Sequence, residues 1–444
     1  MSVLATTVFI LLFVVGCFRP ALAFALLLFM FPVEQVLQGA NPILVGSPLG
    51  RAAVNIAICL VALSSVSRMF FTRAEAARGF FNSVLSLTLI LLVWSAVTVT
   101  WSPSQQAAIG VLTEGAPYYL ATLVLGTLLV TDIESLAKCL RTTLLIGTLL
   151  CLFIVLSPDF SSRWGRLGIG LGGGFRSNPL ALGEAGGLTV ICAALLRSQV
   201  GASGAFWNSV RLLGFVVGVV VGALSGSRGQ VLFAVAVSAI MFPVATQLRS
   251  FRVFVITALG LTIVVLVTSI IFDLLLSGFE AQRFSLDSLL YGQSSTLGRV
   301  QNVILLFQAW ANSPLTWIFG LGFYAFQSLF SSSLDPYSHV IIADIIFEHG
   351  LIGAGLGAWL LVEVVRSARF LFRKWGADSE YRAYVVAYVG LCVYVFLLAN
   401  KQGNLWGMAS SFLILGIGAR VRARDHLEVE PDSFCESESY ATLE

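Results

Sequence analysis

The chain has 444 residues, 57% of them hydrophobic and 11% charged, with a net charge of +3 and a mean hydropathy of +0.91. So little charge cannot cover the outside of a soluble domain, where about a quarter of residues are charged. The long apolar runs instead read as a polytopic α-helical membrane protein, and a β-barrel would show alternating ten-residue segments.

In chain order, MSVLATTVFILLFVVGCF resembles the apolar part of a signal peptide but lacks a basic leader, and reads as a retained first span. Candidate spans lie near 3–32 (one long helix or two short ones), 51–67, 80–98, 110–131, 141–157, 181–196, 209–224, 230–246, 253–276, 340–365, 381–399 and 404–419. That makes about 12, or 13 if Arg19-Pro20 divides the first. GIGLGGGF at 168–175 reads as a loop or a re-entrant break. The fold class is all-α, a transmembrane bundle occupying 1–424, with a long, partly helical outer loop at 277–339 before the span near 340. Cys17, Cys59, Cys139, Cys151, Cys192, Cys392 and Cys435 are scattered without CxxC spacing, so they imply neither a disulfide framework nor a metal site.

Basic residues set the orientation. Arg68, Arg73 and Arg78 share one connection, Lys138 and Arg141 another, and Arg249 with Arg252 a third. Arg366, Arg369, Arg373, Lys374 and Arg382 share a fourth, and Arg420, Arg422 and Arg424 follow the last span. These sites fall on one side and are expected to be cytoplasmic. Residues 425–444 carry seven acidic side chains and no Lys or Arg, and read as a short disordered cytoplasmic tail. The body without that tail has a net charge of +10, which suits anionic lipid or an anionic substrate.

Positive charge is expected to be scarce on the other side, yet Arg163, Arg166, Arg176, Arg228, Arg283 and Arg299 fall there. Arg163 and Arg166 flank Trp164 and read as interfacial anchors. Arg228 sits in SGSRG between two apolar runs and calls for an anionic partner, either an outer carboxylate or a ligand phosphate. Arg299 opens an apolar helical stretch in the long outer region, and its fork matches phosphate oxygens. His339 follows Tyr337 and Ser338 at the start of the span near 340. With an ordinary pKa near 6.5 it is either a polar cap or a base at neutral pH. Asp344 and Glu348 are four apart and are expected to face the bundle interior or a polar cleft, away from His339. Glu348, His349 and Gly350 are expected to mark a helix break.

Five segments then resemble, in order, the O-antigen ligase and Wzy-type polysaccharide polymerase superfamily of bacterial inner membranes. They are VWSAVTVTWSP (93–103), GGGFRSNPLALG (172–183), LSGSRGQVL (224–232), LGRVQNVILLFQAWANSPLTWIFGLGF (297–323) and SHVIIADIIFEHGLIG (338–353). The resemblance spans roughly residues 90–420 and departs from the family pattern at Val340, where asparagine is common. It implies an inverting, metal-independent glycosyltransfer on the periplasmic side, with no cofactor. His339 corresponds to the family's general base, and Arg228 and Arg299 to its diphosphate-binding arginines. Arg176, Arg283 and Tyr337 are further substrate-binding candidates. The donor implied is an undecaprenyl-diphosphate-linked glycan, and the acceptor is lipid A–core or a second lipid-linked glycan. Membrane lipids and a flippase or chain-length regulator are the expected partners, and nucleic acid is not one. The alternative is a secondary transporter of an anionic or lipid-linked solute, drawing on the glycine-rich breaks and on Asp344 and Glu348.

Overall fold

The computed structural model describes residues 2–72, 77–156, 169, 178–196, 202–225, 228–247, 255, 296–329, 338–402, 405–407 and 409–429. The protein is an all-α, polytopic membrane protein. Eight helices among the described residues are long and apolar enough to cross a membrane, and nine if one bent pair counts as a span. The expected span at 253–276 lies, apart from residue 255, outside the described residues.

The helices are α1 (Ser2–Gly16), α2 (Pro20–Leu28), α3 (Met30–Ala40), α4 (Pro48–Thr72), α5 (Ser83–Thr98), α6 (Gln105–Leu129), α7 (Ile133–Val155), α8 (Pro179–Leu195), α9 (Ala202–Leu224) and α10 (Arg228–Thr246). They continue with α11 (Thr296–Ala311), α12 (Pro314–Phe319), α13 (Ala325–Leu329), α14 (Gly350–Trp375), α15 (Arg382–Gln402) and α16 (Ala409–Val429). The first apolar stretch breaks twice. Pro20 starts α2 after Arg19, and α2 meets α3 at a 77° bend that sequence reading did not anticipate. The last expected span, 404–419, overlaps α16 only from Ala409, and α16 continues through Val429 and carries Arg420, Arg422 and Arg424. Its last five residues belong to the stretch expected to be tail.

Local chemistry sets several helix starts. Asn82 caps α5 by accepting from the Leu85 N–H, and Asp132 and Ser135 form a reciprocal capping box on α7. Asn178 caps α8 with Pro179 at its first position. Apolar side chains such as Ile90, Val93, Leu212, Val216 and Ile240 point outward, as lipid-facing helices require. Helices α8 and α9 approach closely because Gly186 faces Gly218 and Gly222, where a Cβ on Gly186 would lie 2.6 Å from the Gly218 carbonyl oxygen. Arg211 then closes this pair by donating to the Ala193 and Ala194 carbonyls at the end of α8.

Four of the five basic connections that sequence reading grouped on one side meet at one end of the bundle, and Arg249 and Arg252 of the fifth lie outside the described residues. Glu363 of α14 accepts from Arg366 at 2.6 Å, from Arg422 at 3.3 Å and from Ser83 at 2.9 Å. Arg424 reaches Asp132 at 3.3 Å, Lys374 pairs with Asp425, and the guanidinium of Arg141 lies over the Tyr384 ring. The backbone of Arg424 packs on Gly79, whose φ of +69° and lack of Cβ allow the approach. We call this the basic end. Burial alone would raise the Asp132 carboxyl, but hydrogen bonds from Ser135 and Thr131 and the Arg424 charge outweigh it and hold the group below its ordinary value.

Candidate functional site

At the opposite end, the segments singled out in the sequence come together in three places. The first joins the start of α8 to the turn between α9 and α10. Gln230 donates its amide to the Leu180 carbonyl at 2.7 Å. A Cβ on Gly183 would lie 1.8 Å from Gln230 Oε1 and 2.4 Å from Ser225 Oγ, so glycine is required there. The start of α8 and the residues Ser225 and Gln230 are therefore locked side by side. Arg228 is the first residue of α10. Arg176, Arg283 and Tyr337 lie outside the described residues.

The second place is a polar joint centred on Glu348. The helix expected over 340–365 is interrupted: a short turn at Ile341–Ala343 leads into a π turn at Asp344–Glu348, and α14 begins only at Gly350. The break at 348–350 agrees with the sequence reading. Glu348 is buried, and its two oxygens accept from the Tyr324 N–H at 3.0 Å and the Phe326 N–H at 3.2 Å. Its carbonyl accepts from Gly322 at 2.9 Å. Gly320, Gly322 and Gly350 hold φ values of +83°, +97° and +68°, and a Cβ on Gly320 would lie 2.2 Å from the Glu348 carbonyl oxygen. The glycines of FGLG and EHG thus exist to let these two chains touch. The tryptophan-serine segment closes the joint. Trp94 donates to the His349 carbonyl, Trp101 to Gly320 and Ser102 to Phe323. The Thr98 hydroxyl donates to Ser95, so its oxygen accepts from the Phe323 N–H and, at 3.4 Å, faces His349 Nδ1 as an acceptor. His349 is fully buried in this joint.

The third place is an open recess of about 440 Å³ lined by Phe233, Arg299, Val300, Val303, Ile304, Val340, Leu397, Asn400 and Lys401. Arg299 enters from α11, Phe233 from α10, and Asn400 and Lys401 from the end of α15. His339 directly precedes the lining residue Val340, is half-buried, and holds a φ of +65°. A non-glycine residue in that left-handed region is held there by its surroundings. The holding group is visible. Ser338, fully buried, donates to Asp344 Oδ1 at 2.5 Å and accepts from the Val340 N–H at 3.0 Å, bracketing His339 from both sides. Asp344 does face the interior, as expected. It is nevertheless bonded to the neighbour of His339, because residues 338–340 precede the helix and are not part of it, where a regular helix had placed it on the far face.

Arg299 and the histidine segment therefore share one cavity, and the helix carrying Arg228 contributes Phe233 to it. Lys401 and Asn400 were missed by sequence reading. Their signal was a basic residue just past the expected span 381–399, and the structure shows the helix running on through Gln402. Among the described residues no cluster of three His, Cys, Asp or Glu side chains could hold a metal ion. Compared with protein-family models and with curated proteins, the sequence matches none.

Proposed function

We propose that this chain is a glycosyltransferase of the O-antigen ligase or polysaccharide polymerase type. In this reading it has about twelve spans in a bacterial inner membrane, its basic end and C-terminus are cytoplasmic, and the recess faces the periplasm. The observation that carries the proposal is the recess itself: Arg299, Lys401 and the segment beginning at His339 meet at a cavity with apolar walls. Cations beside an apolar wall suit an anionic headgroup on a lipid chain.

The chemistry follows from these groups. An acceptor hydroxyl loses its proton to the His339 imidazole as its oxygen attacks the anomeric carbon. The bond from that carbon to the diphosphate oxygen breaks, the configuration inverts, and undecaprenyl diphosphate leaves. Arg228 and Arg299 take up the charge that grows on the leaving oxygens, a type of contribution worth about 3 kcal/mol per positioned donor. The imidazolium then returns its proton to water.

The transporter reading drew on Asp344 and Glu348. Both carboxylates accept from Ser338 or backbone amides in the polar joint, which favours a structural role for them. The test is reconstitution in proteoliposomes with an undecaprenyl-diphosphate-linked oligosaccharide and two parallel acceptors, lipid A–core and a second lipid-linked glycan. Glycan moving to either acceptor supports the proposal and separates ligase from polymerase. Uptake of a solute with no glycan transfer overturns it.

A further inference from the structure

We infer that Glu34 and Asn55 form a binding site for one alkali metal cation, where α3 meets the start of α4. The site stands apart from the recess, which is lined from α10, α11, α15 and Val340. It does not depend on the proposed function.

Three observations carry the inference. The first is the bonding of Glu34, which lies on α3 just past the 77° bend. Its Oε1 accepts from the Gln38 amide at 2.8 Å, and its Oε2 accepts from the Asn55 amide at 2.9 Å. Hydrogen bonds donated to both oxygens favour the ionised carboxylate over the acid. The ion pairs among the described residues leave Glu34 out, so its charge is met by neutral amides. The second is an uncommitted oxygen. Asn55 is 5% exposed, and its Oδ1 has no hydrogen-bond partner among the described residues. Turning the amide round would not help, because a carboxylate only accepts and Nδ2 must face it. A buried carbonyl oxygen on the amide that meets a carboxylate calls for positive charge. The third is access. Glu34 is half-buried, and Asn55 lies about two turns in from the start of α4, at the end away from the basic residues.

Tethering α3 to α4 does not by itself require a charge here. Gln38 already supplies a neutral tether by donating to the Arg51 carbonyl at 3.2 Å as well as to Glu34. A glutamine at position 34 could accept from Asn55 Nδ2 and donate to Asn55 Oδ1, which would satisfy the pair. The carboxylate instead leaves the Asn55 oxygen without a donor and adds an ionised group to a membrane-spanning bundle, a costly arrangement that marks a functional position. Tyr118 of α6 lies within electrostatic reach of the same carboxylate and brings a further oxygen to this corner. One carboxylate among neutral oxygens balances one positive charge. Calcium sites gain affinity from a higher ligand charge than this. Water completes the shell through the exposed side of Glu34.

The experiment measures saturable binding of radioactive sodium to the purified full-length protein in detergent, together with melting curves in sodium or choline chloride at equal ionic strength. Wild type is expected to bind sodium without competition from choline, and to melt about 2 °C higher in sodium. Glu34→Gln is expected to weaken sodium binding by about tenfold or more and to melt alike in both salts. Asn55→Asp, which adds a second carboxylate, is expected to let calcium displace sodium far more readily than it does from wild type. Absence of saturable sodium binding by wild type overturns the site, and that result needs no variant to fold. Sodium binding undiminished in Glu34→Gln overturns the assignment to this carboxylate. Stabilisation of wild type by acidification in choline, with no sodium binding, assigns the place to a proton and overturns the metal ion. Calcium displacing sodium equally from wild type and Asn55→Asp overturns the alkali class.

Discussion

At the basic end, Glu363 gathers Arg366, Arg422 and Ser83, and Asp132 meets Arg424. At the other end, Arg299 and Lys401 line a recess together with Asn400 and six apolar side chains. The same residue types thus serve two purposes. Where an acid of the chain is built in opposite, the cation joins helix ends and its charge is already answered. In the proposed function, a cation at the mostly apolar wall also meets an anion that comes from outside. The difference lies in what surrounds each charge, and the number of charges at each end says little about either purpose.

The largest expected effect sharpens that contrast at the recess. His339→Ala should lower glycan transfer by about 10²–10⁴-fold, the usual span for a lost general base, with normal membrane insertion. Transfer assays on matched amounts of protein check it. Next, Arg299→Lys should cost about tenfold or more, since an ammonium lacks the guanidinium fork. Arg424→Lys at the basic end should stay within about twofold, as expected of a partly exposed pair. Equal losses from the two lysine variants would erase the distinction between the ends.

The polar joint gives a different kind of loss. Glu348→Ala leaves the Tyr324 and Phe326 amides without their acceptor, and should destabilise the fold by about 3 kcal/mol. Thermal unfolding in detergent reads this, and an unchanged melting temperature would show the joint to be dispensable. Asp344→Asn keeps an acceptor for Ser338 and should retain transfer better than Asp344→Leu, which frees the backbone at His339. The smallest effect belongs to Asp132. Its folded pKa is depressed, so its stabilisation is present above the unfolded value near 3.9 and is lost as pH falls through the folded value. Asp132→Asn should therefore be less stable than wild type by about 1 kcal/mol at pH 7. Melting curves from pH 7 to pH 3 should show that gap closing on acidification.

Class, basic end and most helices were legible because lipid demands long apolar runs and backbone groups satisfied within each helix. The bend between α2 and α3 was hidden, since both arms are apolar and no proline sits at Phe29. The π turn at Asp344–Glu348 was equally hidden, because an inserted residue per turn leaves no mark on composition. The late helix start at Ile341, after a left-handed His339, was hidden too, and it is what lets Ser338 reach Asp344. The glycines of FGLG and EHG were visible as letters, but their purpose depends on contacts such as Trp94 to His349, 255 positions apart.

The most direct test of the central claim is a single-turnover measurement with a radiolabelled undecaprenyl-diphosphate-linked oligosaccharide and excess acceptor. Free undecaprenyl diphosphate and glycosylated acceptor are followed together, with the anomeric configuration of the new bond. Stoichiometric release of the two with inversion by wild type, and neither by His339→Ala, is the predicted result. Retention of configuration, or equal turnover by His339→Ala, would contradict the account.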